Sequence, residues 1–377
     1  MKKKKILKII SSIDPSYGGP SRGVINTSIH LSKRGYLVDI VTIDKHKFNF
    51  DLSKNIRFIN FKNYFGINYR FSIDFFLWLY KNRNKYQIIV VHGLWQFQTL
   101  AARLLIKKKY YVYTHGQLDP YFRIDIKKKL KKFFYWYFIE YKNLQNSISI
   151  LLTTKGEKSN LNKTFVNTKK IKKKVTGYGI FPQKKFNKKI AVSKFYKKFD
   201  FLKKKNFFVF IGRFDEKKGC DIIIDAVKKI DKKLNSLILF VGPCPDRIYK
   251  KNLINIVKKY NLSSKIYFSD ALYGDLKWAA IYLSRAMLLP SHGENFGISL
   301  VESLSMSRPV ITSNKVNIYQ DIFSYKCGLI SNNNVASFSN KLLTFEKLNR
   351  QEYLRMCVNA KKCFNEKFNL SNLKSVI

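Results

Sequence analysis

The sequence predicts an α/β protein made of two doubly wound parallel-sheet halves, and three observations predict it. Short apolar runs alternate with longer amphipathic ones, the βαβα rhythm of a mostly parallel sheet covered on both faces. That rhythm lapses near residues 180–205 and then restarts. At 377 residues the chain is also too long for one ordinary core, and with 46% apolar and 15% aromatic residues it has ample material for two.

The elements follow in order. "ILKIISSI" reads as a first strand, then a glycine pair and the helical pattern "SRGVINTSIHLSKRG". The basic opening "MKKKKILKIISSID" has only a short apolar run, interrupted by Lys8, and no small-residue cleavage site, so it reads as a strand rather than a signal peptide. "YLVDIVTID", "IRFINF", "YQIIVVHG", "YYVYTHG" and "SISILLTT" are further strands, with helices between most of them. The stretch "FPQKKFNKKIAVSKFYKKFDFLKKK" carries little secondary-structure signal and reads as a linker. After it come "NFFVFIGRF", "SLILFVGP", "KIYFSD", "AMLLPSHG" and "RPVITS" as strands separated by helical patterns, and residues 350–377 close the chain as an amphipathic helix.

Charge and cysteine content narrow the classes. There are 72 Lys and Arg against 24 Asp and Glu, a formal charge of +48. Most of the excess is lysine accompanied by Asn, Ile, Phe and Tyr, the profile of an AT-rich coding sequence; the competing reading is attraction to phosphate, nucleic acid or an anionic membrane. The lysines spread over the entire chain and no nucleic-acid-binding pattern appears, which disfavours a nucleic-acid partner. The five cysteines form no CxxC pair and no metal-like spacing with histidine, so they read as free thiols of a reducing compartment. No stretch approaches 18 apolar residues. Lysines beside aromatics in "DIKKKLKKFFYWYFIEYKN", residues 125–143, suit either a helix lying on an anionic membrane or a helix with a solvated lysine face.

Three loops carry chemistry. In "SHGENFGISLVESLSM" a buried strand ends and a helix begins near Gly297, where unpaired N–H groups and the helix dipole suit a phosphate. Glu302, one turn inside, suits a ribose diol, and Glu294, in the loop, suits the group the phosphate carries; the alternatives are a surface helix residue and a cap acceptor. In "FFVFIGRFDEKKGCDIII", Arg213 and Lys218 follow a strand and precede another helix, a placement suited to a diphosphate or to ordinary solvated charge. In "SSIDPSYGGPSRGV" the pair Gly18-Gly19 follows the first strand without forming GxGxxG. Three of the five histidines sit at strand ends before glycine: His92, His115 and His292. There is no D-x-D, no phosphate loop and no Cys/His metal set, so no metal or cofactor is implied.

Taken together, "PSHGENFGISLVESLSMSRPVI" resembles the E-x7-E loop of the family 4 retaining glycosyltransferases of GT-B fold. "GGPSRGV", "HGLWQFQTLAAR", "THGQLDP", "TTKGEKSNL", "GYGI" and "GRFDEKKGCDIIIDA" agree in order, and the likeness extends over nearly the whole chain. The "HGLW…HGQLDP" pair is similar to members that build bacterial surface polysaccharides.

The resemblance implies two Rossmann-like domains facing a central cleft: residues 1–185 for the acceptor, 186–355 for the nucleotide sugar, and 356–377 as a helix crossing back to the first domain. It implies Arg213 and Lys218 at the diphosphate, Glu302 at the ribose and Glu294 at the donor sugar. It further implies Gly18 and Gly19 near the phosphates, His115 near the reacting carbon, and backbone contacts at Gly242, Asn295, Phe296, Gly297 and Ile298. The activity implied is metal-independent transfer from a nucleotide-diphosphate sugar to a saccharide or lipid-linked saccharide in O-antigen, capsule or exopolysaccharide synthesis. The setting implied is cytoplasmic, with peripheral contact at the inner face of the membrane. A nucleotide-sugar epimerase of the same fold is the alternative, distinguished by needing no acceptor; a phosphorylase would want a cofactor lysine signature that is absent.

Overall fold

The computed structural model describes residues 4–14, 18–44, 53–66, 68–119, 133–161, 163, 168–183, 186–244, 246–373 and 377. They divide into two compact units, Met1–Gly179 with Leu373–Ile377, and Ile180–Asn372. The division falls slightly before the expected 185/186 border.

The first unit holds β1 (Lys5–Ile10), α1 (Gly19–Lys33), β2 (Leu37–Ile43), β3 (Ile56–Phe61), α2 (Ile73–Asn82), β4 (Ile88–His92), α3 (Phe97–Ile106), β5 (Tyr111–Tyr113), α4 (Tyr141–Gln145), β6 (Ser149–Leu152), α5 (Lys155–Leu161) and β7 (Lys173–Val175). A π-helical turn, Trp136–Glu140, leads into α4. The strand order is β3-β2-β1-β4-β5-β6-β7 and every pairing is parallel. The order reverses between β1 and β4, so the loops leaving those strands diverge and open a crevice at their carboxyl ends. The strands form because their apolar runs are buried on both sides. Leu7, Ile9, Val91 and Ile150 pack with Phe75, Leu79 and Phe97 from α2 and α3 in one cluster. Burying each such side chain contributes roughly 1.5–3 kcal/mol. Ser72 starts α2 by accepting from the Phe75 N–H, a cap worth about 1 kcal/mol.

The second unit holds α6 (Lys188–Lys198), β8 (Phe207–Ile211), α7 (Cys220–Ile230), β9 (Leu237–Val241), α8 (Arg247–Lys259), β10 (Ile266–Ser269), α9 (Gly274–Leu283), β11 (Met287–Leu289), α10 (Ile298–Ser305), β12 (Val310–Ser313), α11 (Tyr319–Ser324), β13 (Gly328–Ser331), α12 (Val335–Glu346) and α13 (Arg350–Cys363). Its sheet runs β10-β9-β8-β11-β12-β13, again with every pairing parallel, and reverses between β8 and β11.

Two expectations are corrected. The stretch taken as a linker contains α6, which buries only Ala191 and Phe195 among its lysines, too thin a stripe to show as periodicity. Helix α13 and the π-helical turn Phe364–Phe368 belong to the second unit, where they pack on α10; only Leu373–Ile377 group with the first. Of the basic stretch 125–143, residues 125–132 lie outside the described residues. All five cysteines are free thiols.

Candidate functional site

In the second unit the loops leaving β8 and β11 meet at the point where the strand order reverses. Asp215 caps the turn Glu216–Lys218 by accepting from the Lys217 N–H at 3.0 Å. The Lys217 carbonyl in turn accepts from the Ser291 hydroxyl at 2.7 Å and the His292 N–H at 2.9 Å. Gly219, at φ 70°, lets this loop lie against the other: a Cβ there would sit 2.3 Å from the Pro290 carbonyl oxygen. The backbone therefore laces two neighbouring strand ends into one platform.

On that platform Lys218 Nζ donates to Glu294 Oε2, and each side chain is 19% exposed. Glu294 is held at both ends of its peptide unit, donating to the Lys315 carbonyl at 3.1 Å and accepting from the Asn317 N–H at 2.9 Å. Burial pushes its carboxyl pKa up. The Lys218 ammonium, then Lys217 and the Gly297 N–H, outweigh that and hold it below the usual value. Glu294 is thus an ionised, fixed acceptor, held by Lys218 and by the Gly297 N–H at the start of α10. Gly297, at φ 70° and ψ 61°, precedes α10, whose first N–H groups have no partner within the helix. Asn295 Oδ1 accepts from Asn317 Nδ2 at 3.4 Å. The Phe296 side chain is buried edge-on against Phe368 at 5.6 Å, which leaves its backbone as the part that faces a ligand in the expected role. Ile298 opens the helix.

Glu302 is 6% exposed and binds Lys277 of α9, Nζ to Oε1 at 2.5 Å. The alternative of a surface helix residue is excluded. Lys277 was not singled out in the sequence, where it is one lysine among many. Arg213 follows β8, is exposed, and makes no hydrogen bond or ion pair among the described residues. Gly242 ends β9 so close to Gly212 that a Cβ would lie 1.7 Å from the Gly212 carbonyl oxygen, so its identity is already required by packing beside Arg213. A cavity of about 570 Å³ in this unit lies at the other ends of the strands, lined by Arg285, Arg308, Glu346 and Tyr353.

The first unit gathers the remaining candidates. Gly18, at φ 80°, precedes α1, and the Gly19 carbonyl accepts from the Tyr178 hydroxyl at 3.2 Å. Gly23 leaves room for that hydroxyl: its Cβ would be 1.7 Å away. Tyr178 lies edge-on to His115, with ring centroids 6.3 Å apart. His115 has φ 49°, a left-handed conformation uncommon outside glycine. Its Nε2 lies 3.0 Å from His92 Nδ1. Burial, then the Lys8 ammonium, lowers the His115 pKa to about 3; burial, then His115 and Lys8, pushes His92 well below its ordinary value. Lys8 itself is buried in the middle of β1, donates to Thr27 Oγ1 at 2.5 Å, and is lowered to about 7 by desolvation. Glu157 pins the loop after β5, accepting from the Thr114 hydroxyl and the Gly116 N–H, both at 2.7 Å. The expected trio of histidines is therefore a pair. His292 belongs to the second unit beside Lys217. Among the described residues no group of three His, Cys, Asp or Glu side chains is placed to hold a metal ion.

Sequence comparison gives this geometry a family. Residues 17–184 match the model described as Glycosyltransferase Family 4, and residues 192–363 match Glycosyl transferases group 1. The chain belongs to the family 4 glycosyltransferases. Its architecture is that of the GT-B fold. An O-antigen biosynthesis glycosyltransferase of Escherichia coli, WclY, is 30% identical over 156 residues, 41% of this chain and 40% of the relative. A glycosyltransferase of Methanocaldococcus jannaschii is 31% identical over 43% of this chain and 44% of its own length. The aligned part is thus well under half of these relatives. Among solved structures, HepE of Anabaena in complex with UDP and glucose superposes with a TM-score of 0.77 at 16% identity, covering 98% of this chain and 96% of that one. Sucrose-phosphate synthase of Thermosynechococcus elongatus gives 0.75 at 17%, covering 98% and 96%. At these identities the superpositions speak for the fold alone.

Proposed function

We propose that this glycosyltransferase moves a sugar from a nucleotide-diphosphate donor to a hydroxyl of a saccharide or lipid-linked saccharide, with retention, in surface-polysaccharide synthesis. The observation that carries the reading is the Lys218–Glu294 pair fixed at the β8/β11 reversal, beside the Gly297-led start of α10. The O-antigen relative supports the polysaccharide context, and the UDP and glucose bound by HepE support the donor class.

Cleaving a sugar–phosphate bond develops negative charge on the departing diphosphate and positive character on the sugar. Groups already fixed where that charge appears lower the barrier without reorganising. In this reading Arg213, Lys218 and the α10 N–H groups take the diphosphate, and a metal is not needed. Glu302 accepts from the ribose, and Glu294 orients the donor sugar instead of attacking it. Gly18, Gly19 and His115 keep the phosphate-side and sugar-side roles that the family likeness gives them, and Gly242 keeps its backbone available to the base. The acceptor hydroxyl approaches the face that the diphosphate leaves and gives its proton to the departing diphosphate, which preserves the anomeric configuration. Arg213→Ala should lower turnover at least tenfold, from loss of a charge-assisted contact of about 1.5–3 kcal/mol. Thermal shift against UDP-, GDP-, ADP- and dTDP-sugars identifies the donor; no shift with any of them, or undiminished turnover in the variant, would remove the assignment. Product formation without an acceptor would favour the epimerase.

Peripheral membrane contact is a second part of the proposal. Phe133, Phe134, Tyr137 and Phe138 are all exposed, directly after the lysine-rich residues 127–132. Among the described residues no helix is long and apolar enough to cross a membrane. Failure to co-sediment with anionic vesicles at low salt would eliminate this part.

A further inference from the structure

Two imidazoles meet where β4 and β5 end. His92 Nδ1 and His115 Nε2 are 3.0 Å apart, so one hydrogen lies between them and its owner sets the state of both rings. His92 is 3% exposed, and its Nε2 has no hydrogen-bond partner among the described residues. A buried N–H without a partner is rarer than a buried acceptor without one, which places the His92 hydrogen on Nδ1. A doubly protonated ring is disfavoured at either position. Both rings are packed on Tyr113, with centroids 5.5 and 4.9 Å away, and the buried Lys8 ammonium is the neighbouring charge. Tyr178 adds a phenol edge to His115, and Glu157 is occupied by the Thr114 hydroxyl and the Gly116 N–H.

We propose that His92 is a positioning residue: its Nδ1–H donates to His115 Nε2 and holds His115 as the Nδ1–H tautomer. His115, the less buried of the two, then offers a ligand a neutral N–H donor, which matches a hydroxyl oxygen of a sugar. The left-handed backbone at His115 fits the same purpose, since strain of this kind persists where surrounding structure fixes one side-chain placement. The ligand assignment rests on the reading of His115 as a donor-sugar contact; the tautomer does not.

The experiment is ¹⁵N-histidine NMR on the full chain at pH 7, with the five histidines assigned by single substitutions, alongside transfer kinetics. The wild type should show His115 as Nδ1–H and uncharged down to pH 5. His92→Phe should release the tautomer and lower kcat by about tenfold or more while leaving the donor KM within about threefold. His92→Asn, whose amide N–H replaces the lost donor, should restore both. His115 found as Nε2–H in the wild type would overturn the proposal, whether or not His92→Phe folds. An unchanged tautomer in folded His92→Phe would do the same. If the wild type turns over no nucleotide sugar, the transferase reading fails while the spectrum still decides the histidine pair.

Discussion

Replacing Lys277 by methionine isolates the role of the ion pair under α10. The lysine and glutamate side chains are 10% and 7% exposed, and the charged atoms are 2.5 Å apart. Methionine keeps most of the lysine stem, and beyond the ion pair it gives up only the ammonium's contact over the Trp278 ring, 4.7 Å from the centroid. What remains is the Glu302 carboxylate in a dry site without its cation. An exposed pair would be worth about 0–1 kcal/mol, but removing one partner of a buried pair costs about 3–5 kcal/mol, and these exposures select the second case. For a unit of about 190 residues each kcal/mol lowers the midpoint by roughly 2–4 °C, so the second unit should melt roughly 6–20 °C lower. Calorimetry resolving the two units is the assay. Lys277→Met/Glu302→Leu should regain more than half of the loss, because it removes the stranded charge as well. A fall of less than about 2 °C in the single variant would refute the argument, since it would mean that Glu302 does not depend on Lys277.

Three further outcomes are expected. Gly242→Ala should destabilise the second unit by more than about 2 kcal/mol in urea unfolding, since its Cβ would lie 1.7 Å from a backbone oxygen that cannot swing aside. Lys8 has a folded pKa of about 7 against 10.5, so the unfolded chain binds the extra proton between those values and its contribution to stability rises with pH across that window. Lys8→Met should therefore be more stable than wild type at pH 6.5, with a gap that narrows by pH 10. Glu294 has a depressed pKa, so its stabilisation is present above about 4.5 and is lost as pH falls through the folded value. The stability difference between wild type and Glu294→Gln should shrink from pH 5 to pH 3 in chemical unfolding.

The alternation of strands and helices was legible because parallel strands are buried on both faces and show as unbroken apolar runs. Two of the four edge strands were not. β7 is "KKV" and β13 begins at Gly328, each too short and too little apolar to show as a run, whereas the edge strands β3 and β10 keep one. Helix α6 hid because only two of its side chains are buried and five of its 11 residues are lysine. Within the site, positions set by local backbone could be read: Gly297 before a helix, Glu294 in its loop, Lys218 at the end of a turn before α7. Lys277 lies 25 positions from Glu302, and Tyr178 is 159 from Gly19; partners of that kind are joined only by the sheet order. Lys8 is the instructive case. A lysine inside an apolar strand was visible as an interruption, but only the fold shows what it faces.

The net charge of +48 looks different once individual lysines are placed. Most are solvated and their number says little about chemistry. Lys218 and Lys277 each meet one of the two glutamates of the E-x7-E loop, and Lys8 stands near His92 and His115 with no carboxylate paired to it among the described residues. A cation neutralised by a fixed carboxylate stays in place before a ligand arrives, so the pair is a preorganised dipole rather than a mobile charge. The carboxylates are scarce, and two of them hold lysines in place around one helix start, which favours the proposed donor site over a merely solvated lysine face. Adding salt should then weaken any charge-driven membrane contact steeply while leaving nucleotide-sugar binding comparatively unaffected, because buried pairs are screened far less than exposed ones. Equal salt sensitivity of the two, measured by vesicle co-sedimentation and by calorimetric titration of the donor, would show that the anchored lysines behave no differently from the rest.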